Sequence, residues 1–455
     1  MKRSFKYILG SALMLLVVSC SDLDKEPISN FSGQGFYKKP SDAQAGVTGI
    51  YNSMQSVFRL NFAYWGEGRA DNVTTKHAGD PRALQSNDLT PIINSAKWDG
   101  FYTLISRANY AIKYTPQVFG EGESALKREL LGQAHGLRAV AYFYLTRIWG
   151  EVPLITEPYE SVDQDVFVKR NGTDEVLAKV EEDLLFAVEN CSASYSGAKN
   201  RVLFTKGAAY AFLTQLYMWQ KRYDKAIAAA EKVIGDSQYT LVAMNDWNDI
   251  FVKGVSTESI FEIGYNEVQT NALRTLYALG SDSDYVPSTK FIASLEKGDL
   301  RQPRIYDVAE VQPRKIWKFF GQGFKDESPE PSSNNIVLTR LADIILLKAE
   351  AHANLNQSAE ALELLNRIRK RAGLDVMDEA TANNEYKSVI DAILHERSVE
   401  LCFEGHRWFD LVRTGTAIST MQPINGLSNK GNLLWPLHES ATLRNTNMKQ
   451  NEFYK

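Results

Sequence analysis

The sequence predicts a mainly α protein of tetratricopeptide-like helical pairs, with long loops and minor β-hairpin insertions. Three observations carry this reading. Apolar residues recur at three- and four-residue spacing over long stretches, as at Leu126, Leu130, Ala134, Leu137, Ala141, Leu145 and Ile148, which gathers them on one face of a helix. Tyr217 stands nine residues before Ala226, the spacing of the aromatic and the second-helix alanine in a tetratricopeptide unit. The small alanine lets the second helix approach the first, and the aromatic fills the space above it. An imperfect copy places Leu347, Ala349 and His352 in one helix and Ala361, Leu365 and Ile368 in the next. Although some 110 residues separate the two pairs, they can stack as a discontinuous solenoid.

At the N-terminus, Lys2, Arg3 and Lys6 precede the apolar run Tyr7 to Val18. That is the layout of a secretory signal over residues 1–19. Its twelve residues are too few for a spanning helix, which needs about 20. Val17, Val18, Ser19 and Cys20 resemble a bacterial lipobox, so Cys20 is expected to carry lipid and become the mature N-terminus. Residues 20–41 then form a polar tether, and residues 42–455 a single domain.

Within that domain, Ser41 and Asp42 cap a helix over Ala43 to Val57. Residues 59–93, with Gly66, Gly68, Gly79, Pro81 and Pro91, read as a long loop. Amphipathic helices follow over Lys97 to Tyr114, over the stripe from Leu126 to Ile148, and from a Thr173 cap through Val176, Val180, Leu184 and Val188. The first tetratricopeptide-like pair occupies Gly207 to Gln220 and Tyr223 to Val233. Residues 237–337 are rich in Gly, Ser, Asp and Pro, with β-like runs at Ser259 to Ile263 and Lys315 to Phe319. A loop region this long inside a compact body points to function. Tyr386 to Val412 reads as a helix broken at Gly405, and everything past Gly415 as loop. The helical scaffold thus spans about 95–236 and 338–413, and the loop-rich region about 59–93 and 237–337.

Composition excludes several functions. The formal net charge is −4, and loss of the three signal cations makes it −7, which argues against nucleic acid. Six scattered histidines and three cysteines show no HExxH and no CxxC, so neither a metal nor another cofactor is expected. With Cys20 lipidated, Cys191 and Cys402 read as two unpaired core thiols.

Several segments together resemble the SusD/RagB family. They are Leu338 to Asp343 with Leu347, Ala349, Glu350 and Ala351; Ala361 to Gly373; Glu396 and Arg397 leading into Glu400 to Arg413; Leu137 to Ala139 with Tyr142 and Phe143; and Trp149 to Leu154. Glu67, Arg69, Asp71 and Asn72 resemble the family's early acidic motif. The resemblance implies four tetratricopeptide-like pairs, no catalytic activity and a place on the outer face of the outer membrane. It also implies a TonB-dependent transporter as partner and an oligosaccharide, or in some cases a peptide, as ligand.

Sugar binding asks for aromatic faces and polar side chains that meet hydroxyls. Two loop regions offer them: Trp65, Arg69, Asp71, Asn72, His77 and Arg82 in the first, and Tyr265, Asn266, Tyr277 and Tyr285 in the second. In the family's starch-binding member an arc of aromatics comes partly from the loop after the acidic motif. Here Val73 to Asp88 holds no aromatic, which points to a smaller or more polar ligand. Glu404, His406, Arg407 and Asp410 lie close together, yet the block reads as structural, with Arg407 and Arg413 paired to buried carboxylates. Two rivals stay open: a lipid-anchored peptide- or protein-binding scaffold, and a surface glycosidase using carboxylates such as Glu67 with Asp71.

Overall fold

The computed structural model describes residues 33–120, 124–161, 163–279, 282–309, 314–325 and 332–455. Cys20, the signal segment and most of the tether lie outside these residues.

The first long helix, α1 (Pro40–Gly66), begins with proline in its first turn, where a missing N–H costs nothing. The Asp42 carboxylate accepts from the backbone N–H groups of Lys38 and Lys39, both at 3.0 Å, so Asp42 closes the turn from the third helical position, and Lys39 is the N-cap. The expected stop at Val57 is overturned. Phe58, Phe62 and Trp65 carry the buried stripe on to Gly66, so residues 59–66 are helix and not loop. After it come β1 (Val73–Thr74) and the short α2 (Asp80–Gln85).

Next are α3 (Asp99–Phe119), α4 (Ala125–Trp149) and α5 (Thr173–Asn190), close to their expected positions. Thr173 is the first helical residue of α5, however, and Gly172 is its N-cap. The pair α6 (Lys206–Trp219) and α7 (Tyr223–Ile234) follows, with Thr205 Oγ1 accepting from the Ala208 N–H at 3.1 Å. Ala226 and Ala230 are fully buried at its seam, as the spacing requires.

The stretch that follows is less extended than expected. β2 (Ser259–Ile263) is a strand, and β3 (Val286–Pro287) is a short one. Lys315 to Phe319 is not a strand: only Ile316 makes a bridge, to Tyr306, and the chain turns so that Lys318 points inward. The partner of β2 is β4 (Ile336–Arg340), antiparallel, with Ser259 opposite Arg340 and Ile263 opposite Ile336. The insertions therefore form ladders between distant segments, not hairpins.

The second pair is α8 (Leu341–Asn354) and α9 (Ser358–Arg371). α7 packs on α8, so the discontinuous solenoid forms: α1, α3, α4, α5, α6, α7, α8 and α9 each rest on the next. After α10 (Glu379–Tyr386), the helix expected over 386–412 is present in two pieces on either side of Gly405, α11 (Val389–Glu400) and α12 (Arg407–Arg413). The tail past Gly415 also contains helix, α13 (Ala417–Asn425) and α14 (Glu439–Arg444). Buried apolar side chains from Tyr37 to Leu437 make one contiguous cluster. Cys191 and Cys402 are buried in it as free thiols.

A layer of buried charge lies where α8, α9 and α11 meet the β2–β4 ladder. Arg340 bridges Glu258, Glu400 and Glu404. Arg301 bridges Asp299, Glu396 and Glu400 at 2.8, 2.6 and 2.9 Å. Lys318 Nζ donates to the Glu400 and Cys402 carbonyls, both at 2.9 Å. Glu396 and Glu400 lie one turn apart on α11, so both face this layer, and Glu404 reaches it from the turn that follows.

Candidate ligand-binding site

The early acidic motif and the late block form one structural knot. Gly66 and Gly405 pass so closely that a Cβ on Gly66 would stand 2.0 Å from the Gly405 carbonyl oxygen. Immediately after that crossing, Glu67 Oε1 accepts from the Gly405 N–H at 3.1 Å. Burial pushes the Glu67 carboxyl up to about 8, against the hydrogen bonds from the Gly405 and Arg407 backbone. Two residues on, the Arg69 guanidinium stacks on Trp408, 4.2 Å from the ring centroid, and donates to the Leu433 carbonyl at 3.1 Å. Asp71 then pairs with Arg407 at 2.8 Å and with Lys290 at 2.9 Å. Burial raises the Asp71 carboxyl, but these two cations outweigh it and hold it well below the usual range. Asn72 Nδ2 donates to the Ser398 carbonyl at 3.2 Å. The adjacent Arg413 pairs with Glu350 and, at 2.7 Å, with Asp410. These groups are held by one another, which is a structural role.

What the knot holds up is a surface made of both predicted loop regions. β1 pairs with β3, Val73 opposite Pro287 and Thr74 opposite Val286. The ladder draws the loop after the acidic motif against the segment 282–288. Tyr64 Oη donates to Asp284 Oδ2 at 3.0 Å across it, and His77 lies near enough to act electrostatically on the Asp284 carboxyl. Gln85 ties the loop down, accepting from the Thr75 N–H at 3.1 Å and donating to the Val73 carbonyl at 3.3 Å. On the other side, Asp80 accepts from the Ser95 N–H at 2.8 Å, and the Glu439 N–H donates to the Pro91 carbonyl at 2.8 Å. That contact brings in His438, half-buried beside exposed Lys97. Burial, then Lys97, lowers its pKa, which favours the neutral ring. Arg82, Asn94 and Lys97 are exposed and His77, Asp284 and His438 half-buried, so all six reach solvent in the loops that these contacts join.

The predicted site residues divide sharply. Trp65, Arg69, Asn72, Tyr277 and Tyr285 are almost wholly buried, and Asp71 and Tyr265 are exposed by 6% and 9%. Their hydrogen bonds run inward: Trp65 Nε1 donates to the Ser95 carbonyl at 3.0 Å, and Tyr277 Oη to the Phe403 carbonyl at 3.2 Å. The Tyr285 ring packs edge-on against Tyr64. Burial places Trp65, Arg69, Tyr265, Tyr277 and Tyr285 in the core, whereas Asp71 and Asn72, though buried, line a recess beside Arg407. His77 and Arg82 do lie on the surface. Tyr265 and exposed Asn266 sit elsewhere, against the middle of α1, where Tyr265 Oη donates to the Gln55 carbonyl at 2.8 Å. Sequence reasoning missed Lys97 and His438, whose approach depends on contacts over hundreds of residues. A recess of about 240 Å³ behind the Asp71–Arg407 pair is lined by His395, which burial lowers to about 4 and so keeps neutral.

Comparison with known proteins agrees with this arrangement. A model described as the SusD family matches residues 259–454. One described as starch-binding, associating with the outer membrane, matches residues 36–218. Each contains one half of the knot. The SusD-like protein P38 of Formosa agariphila is 32% identical, the alignment covering 99% of this chain and all of that protein. A SusD superfamily structure from Bacteroides thetaiotaomicron VPI-5482 superposes with a TM-score of 0.79 at 26% identity, covering 92% of this chain and 99% of that one. A laminarin-binding SusD-like protein superposes at 0.78 with 23% identity, covering 92% and 100%. With a relative 32% identical over nearly the whole chain and family models matching both halves of the knot, the chain belongs to the SusD family, whose glycan-binding members associate with the outer membrane.

Proposed function

We propose that this protein captures an oligosaccharide at the cell surface and delivers it to a TonB-dependent outer-membrane transporter, without cleaving it. It is tethered by lipid on Cys20. The observation that carries the reading is the β1–β3 ladder, which fuses two distant loops into one polar surface above a rigid knot. The aromatic rings Tyr64, Trp65, Tyr265, Tyr277 and Tyr285 are buried. Recognition on this face therefore rests on His77, Arg82, Lys97 and Asp284 and not on broad stacking, which favours a short or strongly polar glycan. The starch-binding description of the family model and the laminarin-binding structural relative support glycan as the ligand class. The solenoid supplies a broad face for the transporter, and a stable contact there would bury well over about 1,000 Å².

The test titrates the purified chain with malto- and laminari-oligosaccharides, following heat and new reducing ends together. Heat without new ends is expected. The double variant His77→Ala/Arg82→Ala should weaken binding at least about tenfold, roughly 1.4 kcal/mol, with an unchanged melting temperature. New reducing ends would make the protein a glycosidase. Silence with glycans but heat with peptides would make it a peptide carrier.

A further inference from the structure

A cleft of about 720 Å³ opens beside α1, bounded by the start of α4, the turn at 199–203 and the end of β2. Its size falls in the roughly 300–1,000 Å³ range of small-ligand sites. It shares no lining residue with the polar surface above the knot. Gln44, Thr48, Asn52 and Gln55 line it at three- and four-residue spacing, so one polar face of α1 looks into open space. Leu130, Leu203 and Phe261 supply apolar floor. The Tyr51 ring is fixed at its edge, its hydroxyl donating to Gln133 Oε1 and accepting from the Phe204 N–H, both at 2.8 Å.

The far wall is the turn that carries Asn266, the predicted ligand residue that the knot surface leaves aside. Asn266 Oδ1 accepts from the Val268 and Gln269 N–H groups, both at 2.8 Å. Gln269 Nε2 in turn donates to Asn52 Oδ1 at 3.2 Å, and Gln55 Nε2 to the Gly264 carbonyl at 2.6 Å. Among the described residues, this leaves the Gln44 amide, Asn52 Nδ2, Gln55 Oε1 and Gln269 Oε1 without protein partners. An amide presents a donor beside an acceptor, which matches neighbouring hydroxyls on a sugar ring. The carboxylates at the cleft are occupied: Glu129 accepts from Gln133 and Ser192, and Glu262 from Val255 and Asn335. We propose that this cleft is a second saccharide site, which takes a short neutral oligosaccharide through its unpartnered amides and the Tyr51 ring.

The test uses the methyl resonance of Met54, which lines the cleft and is assigned by Met54→Leu. The full chain is titrated with maltotriose and with laminaritriose. A saturable Met54 shift is expected with at least one sugar. It should persist in His77→Ala/Arg82→Ala and weaken at least fivefold in Gln44→Ala/Asn52→Ala, two exposed positions whose truncation leaves the melting temperature unchanged. No saturable shift with either sugar overturns the proposal, as does a shift that the knot-surface variant abolishes and the cleft variant leaves intact. Loss of heat in the knot-surface variant alone bears on the first site, so the two readings fail separately.

Discussion

Replacing Arg340 by methionine tests whether the buried charge layer holds the fold. The guanidinium donates to Glu404 at 2.8 and 2.7 Å, to Glu258 and Glu400 carboxylates at 2.6 Å each, and to the Glu400 carbonyl at 2.7 Å. Methionine keeps much of the stem's packing but leaves three buried carboxylates to share Arg301, Arg371 and Lys318. Removing one partner of a buried ion network costs about 3–5 kcal/mol. At about 2.1 cal/mol/K per residue, 455 residues melt with an entropy of roughly 1 kcal/mol/K, so the melting temperature should fall by about 3–5 °C. The deficit should also depend on pH. Burial raises Glu400 and Glu404, yet the surrounding cations outweigh it and hold both carboxyls below their usual range. Stability from a depressed carboxyl is present above its unfolded pKa, near about 4.3, and is lost as pH falls through the folded value. Without Arg340 burial gains the upper hand and the folded pKa values rise. The variant's deficit is then largest near about pH 8 and shrinks toward about pH 5, as the carboxyls take up protons. Scanning fluorimetry across that range reads both effects. Equal melting temperatures near neutral pH, or a deficit that widens as pH falls, would refute the reasoning.

Three further outcomes follow from the knot and the anchor. Glu67, with its carboxyl raised to about 8, contributes stability that is complete below its unfolded pKa, near about 4.3, and is lost as pH rises to its folded value. Glu67→Gln, which cannot ionise, should melt with the wild type near about pH 4 and flatten the decline between about pH 4 and 8; a steep loss at every pH would mean that Glu67 is held charged. Gly66→Ala drives a Cβ to 2.0 Å from a backbone oxygen and should cost about 2–3 kcal/mol or prevent folding, read by circular dichroism; a wild-type melt would contradict the close crossing. Cys20→Ala should release the protein from the membrane fraction into the soluble one in a cell expressing no transporter partner, and retention there would count against lipid attachment.

The helical pairs were legible because their signal is local. A buried face at three- and four-residue spacing, or a tyrosine nine residues before an alanine, is written within one or two helices. The unpaired thiols and the pairing of Arg407 and Arg413 with buried carboxylates were also expected from the sequence. The stop assigned at Val57 failed because Phe58, Phe62 and Trp65 are a continuation visible only once something packs over them. The strand assigned to Lys315 to Phe319 failed because only Ile316 finds a bridging partner and the chain turns at Lys318, whose Nζ pairs with residues 400–404.

The candidate site was legible in its regions but not in its residues. Composition marked the two loops, but whether Trp65, Tyr277 or Tyr285 turns outward depends on which distant segments cover it. β1 and β3 lie more than two hundred residues apart, as do Asp71 and Arg407, and His438 and Pro91. Burial and pairing are properties of neighbours in space. The sequence by itself determined the helical class, the family and the two halves of the knot, since each rests on residues near one another in the chain. Only the tertiary structure decided that those halves close on each other, that rings such as Trp65, Tyr277 and Tyr285 are buried in the core, and that His77, Arg82, Lys97 and His438 reach solvent.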